Sequence, residues 1–170
     1  RVNLGGSLAT ASVFATDTFT LTKALSVTAS ARLNSSRLKD RDRVTPGGVP
    51  GSLDANYSFY RVNPSIGVSY SPEGHPGIYF SYTEGSRAPS TIELGCADPN
   101  RPCRLPNAMA GDPPLNQVKA RTYQAGIRSE QGRKLSWDLG VFSTSDSDDI
   151  LFVASPQTGF GYFKNFGLTR

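Results

Sequence analysis

The chain has 170 residues, 37% of them hydrophobic and 19% charged, and its formal net charge at pH 7 is +4. This length suits one domain. The longest apolar run, the five residues 150–154, is far shorter than the roughly 20 residues that a transmembrane helix needs. Its basic residues are scattered, which argues against nucleic acid as a partner. Composition does not separate a soluble β-domain from an outer-membrane barrel, because barrel strands alternate apolar and polar residues.

Apolar and polar residues alternate with a period of two along most of the chain, which predicts β-strands. In Leu25–Asn34 the odd positions are apolar and the even positions are Ser, Thr, Arg or Asn. Ala11–Thr22 follows the same rule except at Phe14 and Asp17. Only Lys23-Ala24 separates the two segments, so we expect a tight hairpin.

Five further strands are predicted downstream: Ser58–Ser71, Ile78–Ser86, Gln117–Glu130, Leu135–Val153 and Gly161–Arg170. The total is seven, whereas closed bacterial barrels have an even number of strands. Either Val2–Thr10 holds an eighth strand, or the chain is an arc of a larger barrel. Both ends of the chain look cut.

The predicted connections alternate between short and long. Lys23-Ala24, Glu73–Gly77 and Gln131–Lys134 are short, whereas Lys39–Tyr57 and Arg87–Asn116 are long and rich in Pro, Gly, Asn and Asp. Alternate connections of an up-and-down antiparallel sheet lie at the same end, so the long loops emerge on one rim. This segregation is typical of outer-membrane barrels, whereas a soluble sandwich does not require it.

Two charged segments call for an interpretation. Arg37–Arg43 is the densest basic group, but acids interrupt it, which predicts a solvated loop. Asp146, Asp148 and Asp149 either bind Ca²⁺ or form a strand tip that interacts with solvent, and we favour the strand tip.

Cys96 and Cys103 enclose the sequence Ala-Asp-Pro-Asn-Arg-Pro. A zinc site needs two more ligands, and the only histidine, His75, is far away in sequence. We therefore predict a local disulfide that closes a surface loop in an oxidising compartment. Closing so short a loop removes roughly 2–3 kcal/mol of loop entropy from the unfolded chain.

Ser86–Leu94 has the sequence Ser-Arg-Ala-Pro-Ser-Thr-Ile-Glu-Leu, which resembles the R-x-P-x-x-x-E-L segment of TonB-dependent outer-membrane receptors. The segments Gly95–Asn107, Asp112–Leu115 and Gln117–Gly126 look like the ferric-citrate or ferric-siderophore branch of that family. The resemblance implies an all-β fold, in which residues 1–170 form an antiparallel up-and-down meander. Such a meander of about seven strands would be a partial arc of a large transmembrane β-barrel in the bacterial outer membrane.

The resemblance also implies a function, which is the import of a ferric chelate with energy delivered through TonB. The receptors of this family have an N-terminal plug domain and a barrel of about 22 strands with a plugged lumen. We therefore expect this chain to be a late portion of the barrel, without the plug, that does not transport alone. Its partners would be the ferric chelate, outer-membrane lipid, and TonB through the absent plug.

Several side chains are candidates for the site. Arg87, Arg104 and Arg121 have the chemistry to bind an anionic chelate, because a guanidinium offers a forked pair of donors to carboxylates. Asn107, beside the bridged loop, is a further candidate ligand contact. The resemblance places a recurrent Arg and Glu at Arg87 and Glu93, where we expect a salt bridge that anchors the loop to the rim.

Two alternative architectures stay open. A complete small outer-membrane barrel of about eight strands, with a structural or adhesion role, requires the strands of Arg1 and Arg170 to pair. A soluble extracellular β-sandwich binding module requires the apolar face of Leu25–Leu33 to pack against a second sheet. No catalytic residues, metal or cofactor are predicted, because one histidine gives no triad and no Gly-rich loop leads from a strand into a helix.

Overall fold

The computed structural model describes residues 3–45, 47, 49, 52–104, 115–131 and 135–169. Its strands are β1 (Leu4–Thr20), β2 (Leu25–Asp42), β3 (Ala55–Tyr70), β4 (Gly77–Arg87), β5 (Val118–Gln131), β6 (Leu135–Ala154) and β7 (Gly161–Thr169). A short helix, α1 (Thr91–Leu94), follows β4. The strands form one sheet in the order β1-β2-β3-β4-β5-β6-β7, each antiparallel to its neighbours. The predicted all-β meander is therefore confirmed.

The structure decides one open alternative and corrects one prediction at the ends of the first two strands. Leu4–Thr10 extends β1 and does not form an eighth strand. Arg37–Arg43 is not a solvated loop, because β2 runs to Asp42 and pairs with β1 over this stretch. The alternation of basic residues with leucine and aspartate is compatible with a strand, since successive side chains point to opposite faces.

The apolar positions of β2 do not pack against a second sheet. Leu33 lies opposite Val13 on one side and Val62 on the other, and these side chains are 49%, 74% and 54% exposed. A sandwich would bury them between its two sheets, so the sandwich alternative is wrong. Within the described residues, β1 and β7 are the two edges of the sheet, so this sheet is not a closed small barrel either.

Two hydrogen bonds show that the sheet is curved. The Thr91 hydroxyl donates to the Asp40 carboxylate of β2 at 2.8 Å, and the Cys96 carbonyl accepts from the Phe163 amide of β7 at 2.6 Å. In a flat sheet, strands five spacings of about 4.8 Å apart would be separated by roughly 24 Å. The segment that links the two bonds, Thr91–Cys96, starts with a turn of helix that rises about 1.5 Å per residue, so it does not span that distance. The sheet therefore curls around α1, as an arc of a barrel does.

The curvature identifies the two faces of the wall. The concave face is the one that carries Leu38 and Asp40 of β2, which are 1% and 8% exposed beneath the loop that follows β4. The same face of β2 carries Ser26, Thr28 and Ser30, whereas the convex face of this stretch carries Leu25, Val27, Ala29, Ala31 and Leu33. Polar residues inside and apolar residues outside are the reverse of a soluble fold and match the wall of a membrane barrel.

Tyrosines mark both ends of the convex apolar stretch of β3. Tyr60 and Tyr70 are exposed on this face and enclose Val62, Ile66 and Val68. Ten residues of strand extend roughly 34 Å, and a tilt near 40–45° reduces this to about 25 Å, the height of the apolar band of a barrel. Tyrosine favours the two membrane interfaces. No helix among the described residues is long and apolar enough to cross a bilayer.

The two faces predict different responses to a buried charge. Ile66 and Ser65 are adjacent on β3 but point to the convex and concave faces. We expect Ile66→Arg to lower the free energy of unfolding by about 2–4 kcal/mol near the bilayer midplane, and the matched Ser65→Arg to cost much less. Urea unfolding of the intact protein in lipid vesicles measures both changes. Equal losses would contradict the assignment of the faces.

Candidate functional site

The connection between β4 and β5 starts with a tightly bonded turn of helix. The Ser90 hydroxyl accepts from the Glu93 amide at 3.3 Å, and the Glu93 carboxylate accepts from the Ser90 amide at 2.7 Å, so α1 has a capping box. Arg87, the last residue of β4, donates two bonds to the same carboxylate at 2.8 and 3.0 Å. One carboxylate thus joins the strand end to the helix start, and the anchoring role of this ion pair stays a prediction.

The charge of Glu93 depends on this geometry. Burial raises the pKa of Glu93, but the bonds from Arg87 and Ser90 outweigh burial and hold the pKa below its usual range. The carboxylate is therefore ionised at neutral pH and neutralises the Arg87 guanidinium. Arg87 already has an anionic partner inside the protein, which weakens its case as a contact for an anionic ligand.

Cys96 and Cys103 form a disulfide with a Cα–Cα distance of 5.8 Å, which confirms the predicted pairing. Both residues are buried, at 0% and 1% exposure. Cys103 exchanges two backbone hydrogen bonds with Gly161, at 2.8 and 3.0 Å, and the Cys96 carbonyl binds the Phe163 amide. The bridged loop is therefore held to the start of β7 by backbone hydrogen bonds.

We use the name rim loop for the part of the β4–β5 connection that the structure describes, residues 88–104 and 115–117. It contributes to one buried cluster of Leu38, Leu94, Ala97, Leu115, Val118 and Ile150. Tyr57, Phe59 and Phe163 pack against this cluster. Burying one large apolar side chain contributes about 1.5–3 kcal/mol. The cluster therefore fixes the rim loop over one end of the concave face.

A glycine in β1 makes room for α1. Gly6 faces the Thr91 hydroxyl and the Asp40 carboxylate, and a Cβ atom at Gly6 would overlap the Thr91 oxygen. Thr91 thus donates to Asp40 across a position where no side chain intervenes. The contact ties the rim loop to β1 and β2 on one side, as the disulfide ties it to β7 on the other.

Arg121, like Arg87, has a carboxylate partner in the structure. The Arg121 Nε atom of β5 donates to Glu84 at 3.1 Å, and Glu84 also accepts from Arg61 at 2.9 Å and from the Tyr82 hydroxyl. One carboxylate faces two guanidiniums, so the group retains a net positive charge. The Arg121 side chain is 47% exposed.

The remaining two candidates lie in the rim loop or beside it. Arg104 directly follows the disulfide and is exposed, and no ion pair joins it to another of the described side chains. Asn107 lies outside the described residues. The binding roles of Arg87, Arg104, Asn107 and Arg121 stay predictions, and the structure brings only Arg87 and Arg121 into contact with carboxylates.

Sequence reasoning missed a break in the sheet between β3 and β4. Their ladder ends at Ser65 opposite Thr83, although both strands continue beyond this pair. Past that point, the side-chain amide of Asn63 donates to the Ser86 hydroxyl at 3.1 Å. The side-chain amide of Gln117 donates to the backbone carbonyl of Tyr60 at 3.3 Å. The sequence offered one signal of this break, the polar residues Arg61 and Asn63. Their partners, Glu84 and Ser86, lie far along the chain.

The predicted acidic group is held by neighbouring strands. Asp148, in a left-handed conformation with a φ of 58°, accepts from Lys119 at 3.0 Å and from Asn116 at 3.4 Å. Asp149 accepts from the Thr169 hydroxyl at 3.2 Å. In the part of the chain that the structure describes, no three His, Cys, Asp or Glu side chains form a group that could hold a metal ion.

Comparison with known proteins gives one family and several similar structures. The model of the family described as "TonB dependent receptor-like, beta-barrel" matches residues 3–170. The chain is similar to the ferric-catecholate import receptor Fiu from Escherichia coli K12, at 18% identity and a TM-score of 0.69 over 98% of this chain and 24% of that one. A search of curated protein sequences found no match.

Two further solved structures are similar to this chain. The alcaligin outer-membrane receptor FauA from Bordetella pertussis is 15% identical, with a TM-score of 0.62 over 95% of this chain and 26% of that one. The copper transporter OprC is 19% identical, with a TM-score of 0.65 over 94% of this chain and 24% of that one. At these identities the likeness shows the fold alone. The chain spans about a quarter of the length of each structure.

The Glu93 geometry predicts a pH-dependent rim loop. Because the pKa of Glu93 is lowered on folding, its contribution to stability is complete above the ordinary carboxyl pKa and is lost as the pH falls through the lowered value. Hydrogen exchange of residues 88–96, corrected for the intrinsic pH dependence, should therefore accelerate in acid. Glu93→Gln should accelerate it already at neutral pH and remove the acid transition.

Glu73→Gln, in a short turn on the opposite rim, is the matched control and should leave this profile unchanged. An acid transition that persists in Glu93→Gln would show that another group controls the loop.

Proposed function

Because the chain belongs to the family of TonB-dependent receptor-like β-barrels, we propose that it forms part of the wall of a receptor that imports a ferric chelate, either a siderophore or a ferric-citrate-like ligand. Receptors of this family lie in the bacterial outer membrane, which is therefore the location of this chain. The observation that carries the proposal is the reversed polarity of the wall, with exposed apolar side chains on the convex face and polar ones on the concave face.

The proposed receptor divides its work among several parts. Residues 1–170 supply seven wall strands and the rim loop. Further strands close the barrel, and a plug domain fills its lumen and receives energy from TonB. The chain spans about a quarter of the length of similar solved receptors, which supports its assignment as one portion of the barrel domain. The proposed role is transport without catalysis, and it requires no cofactor in this portion.

The rim loop is the proposed contact with the ligand. It lies over the end of the concave face at the rim that carries the longer connections, which is the extracellular rim of an outer-membrane barrel. Arg104 is exposed there and has no carboxylate partner among the described residues. Guanidinium groups bind carboxylate and other anionic oxygens through paired donors. We therefore assign ligand contact to Arg104 with Asn107, and the anchoring of the loop to Arg87 with Glu93. A binding role for Arg121 stays a prediction, because the register places it on the same face as Ile66.

Substitution of Arg104 tests the proposal in the full-length receptor that contains this chain. A hydrogen bond to a charged group contributes about 1.5–3 kcal/mol, so Arg104→Ala should weaken binding of the cognate chelate roughly 10- to 100-fold. Fluorescence quenching with ferric citrate, a ferric catecholate and a ferric hydroxamate identifies the class and measures the loss.

Arg41→Ala is the matched control, because it removes the same charge from the convex face of the wall. It should leave chelate affinity unchanged. Failure of all three ferric chelates to bind the unmodified receptor would overturn the proposed ligand class. Equal losses in both variants would overturn the role of Arg104.

A further inference from the structure

The segment Arg37–Arg43 separates its charges by face. Its sequence is Arg-Leu-Lys-Asp-Arg-Asp-Arg, and because strand residues alternate between faces, the bases occupy one side and the acids the other. Leu38 and Asp40 are buried against the rim loop on the concave side. Arg37, Lys39 and Arg41 are exposed on the convex side. A pattern that looks balanced in sequence is therefore strongly basic on the outer surface of the wall.

Arg43 extends the same row beyond the end of β2. A Cβ atom at Gly5 would lie 3.3 Å from the Arg43 guanidinium, and Gly5 pairs with Arg41. The Arg43 side chain therefore also lies on the convex side. We use the name outer basic stripe for Arg37, Lys39, Arg41 and Arg43.

The strands on either side place no charged residue directly opposite the bases of the outer basic stripe. Arg37 is flanked by Ala9 and Ser58, Lys39 by Ser7 and Asn56, and Arg41 by Gly5. These paired neighbours are uncharged, and most are small, whereas the nearest carboxylate at the upper end is that of Asp54. Among the described side chains, none of the four bases forms an ion pair. The small neighbours let a ligand approach the cationic groups from the outside.

A pocket opens at the top of the stripe. It has a volume of about 390 Å³, and its lining includes Lys39, Arg41, Arg43 and the carboxylates of Asp40 and Asp54. Both carboxylates are engaged elsewhere, since Asp40 accepts from Thr91 and Asp54 accepts from the Asp42 amide. The three bases outnumber the two carboxylates and form no ion pair among the described side chains, so the pocket keeps a net positive charge.

The stripe lies just above the apolar band of the wall. The convex residues of β2 up to Leu33 are apolar, Ser35 follows, and Arg37 is the first charged residue. Ser35 is paired with Tyr60, which marks the upper interface of the band. A strand needs about 9–11 residues to cross the hydrocarbon, which Leu25–Ser35 supplies. Arg37 therefore lies at the level of the lipid headgroups, on the rim that carries the longer connections.

We propose that the outer basic stripe binds the phosphate groups of a phosphorylated glycolipid in the outer leaflet of the membrane. The inference rests on the outer-membrane location given with the proposed function, but not on the identity of the imported chelate. Successive bases are about 6.7 Å apart along β2, so they contact separate phosphates. The apolar band directly below receives the acyl chains, which selects a lipid over a free phosphate ion.

The full-length receptor in neutral detergent is the material for the test, and the probe is diphosphorylated lipid A. We expect the variant Arg37→Gln/Lys39→Gln/Arg41→Gln to bind it roughly 100-fold more weakly, since each base near an anionic lipid surface contributes a several-fold gain. The difference should shrink at high ionic strength, because salt screens exposed charges. Native mass spectrometry and titration both measure the bound lipid.

Matched controls separate the possible outcomes. Arg32→Gln/Arg128→Gln removes two bases from the concave face and should leave lipid binding unchanged. Retained binding in the stripe variant, or inorganic phosphate that binds as tightly as the lipid, would overturn the proposal. If the stripe variant does not assemble, Lys39→Gln decides, with an expected loss of about fivefold. Ferric-chelate binding, measured on the same samples, tests the proposed function separately.

Discussion

Every backbone N–H and C=O group inside a bilayer needs a hydrogen-bond partner within the protein, because no water is available there. Within the described residues, the pairing from β1 to β7 meets this condition except along the outer edges of β1 and β7 and at the break between β3 and β4. At this break, the Gln117 side-chain amide donates to the Tyr60 carbonyl, whereas the bond from Asn63 to Ser86 joins two side chains and satisfies no backbone group. Two buried atoms in this region, Arg61 Nε and Asn63 Oδ1, lack a partner among the described residues. Side chains thus bridge this break only in part.

The pairing constraint also determines how the side chains divide between two environments. Once the backbone bonds run within the sheet, each strand is free to present alternate residues to lipid and to the lumen. β2 shows the result along its length. Its convex face changes from the apolar Leu33 to the basic Arg37, whereas its concave face changes from the polar Ser30 to the buried Leu38. The change in polarity on both faces marks the place where the wall leaves the hydrocarbon.

Sequence alone predicted all seven strands, because an alternation of period two survives without any tertiary information. At Arg37–Asp42 the density of charge predicts a solvated loop, which is wrong because the alternation of faces continues through β2. The sequence also predicted the disulfide between Cys96 and Cys103, whose spacing is local. It did not predict that Glu84 joins Arg61 to Arg121, because that contact depends on neighbouring strands and on a break in the ladder that leaves no mark at a fixed spacing.

The order of the rim loop depends on the curvature of the sheet. A four-residue helix has little stability alone, since isolated helices shorter than about 12–15 residues are marginal in water. α1 forms because its carboxylate binds Arg87, its Leu94 is buried, and its Thr91 reaches Asp40.

At the far end of the same loop, Cys103 is bonded to Gly161 of β7. These contacts require β2 and β7 to stay closer together than a flat sheet allows, so the rim loop and the curvature stabilise each other. A loop that closes across the concave side therefore braces the wall of the barrel while it presents Arg104 at the rim.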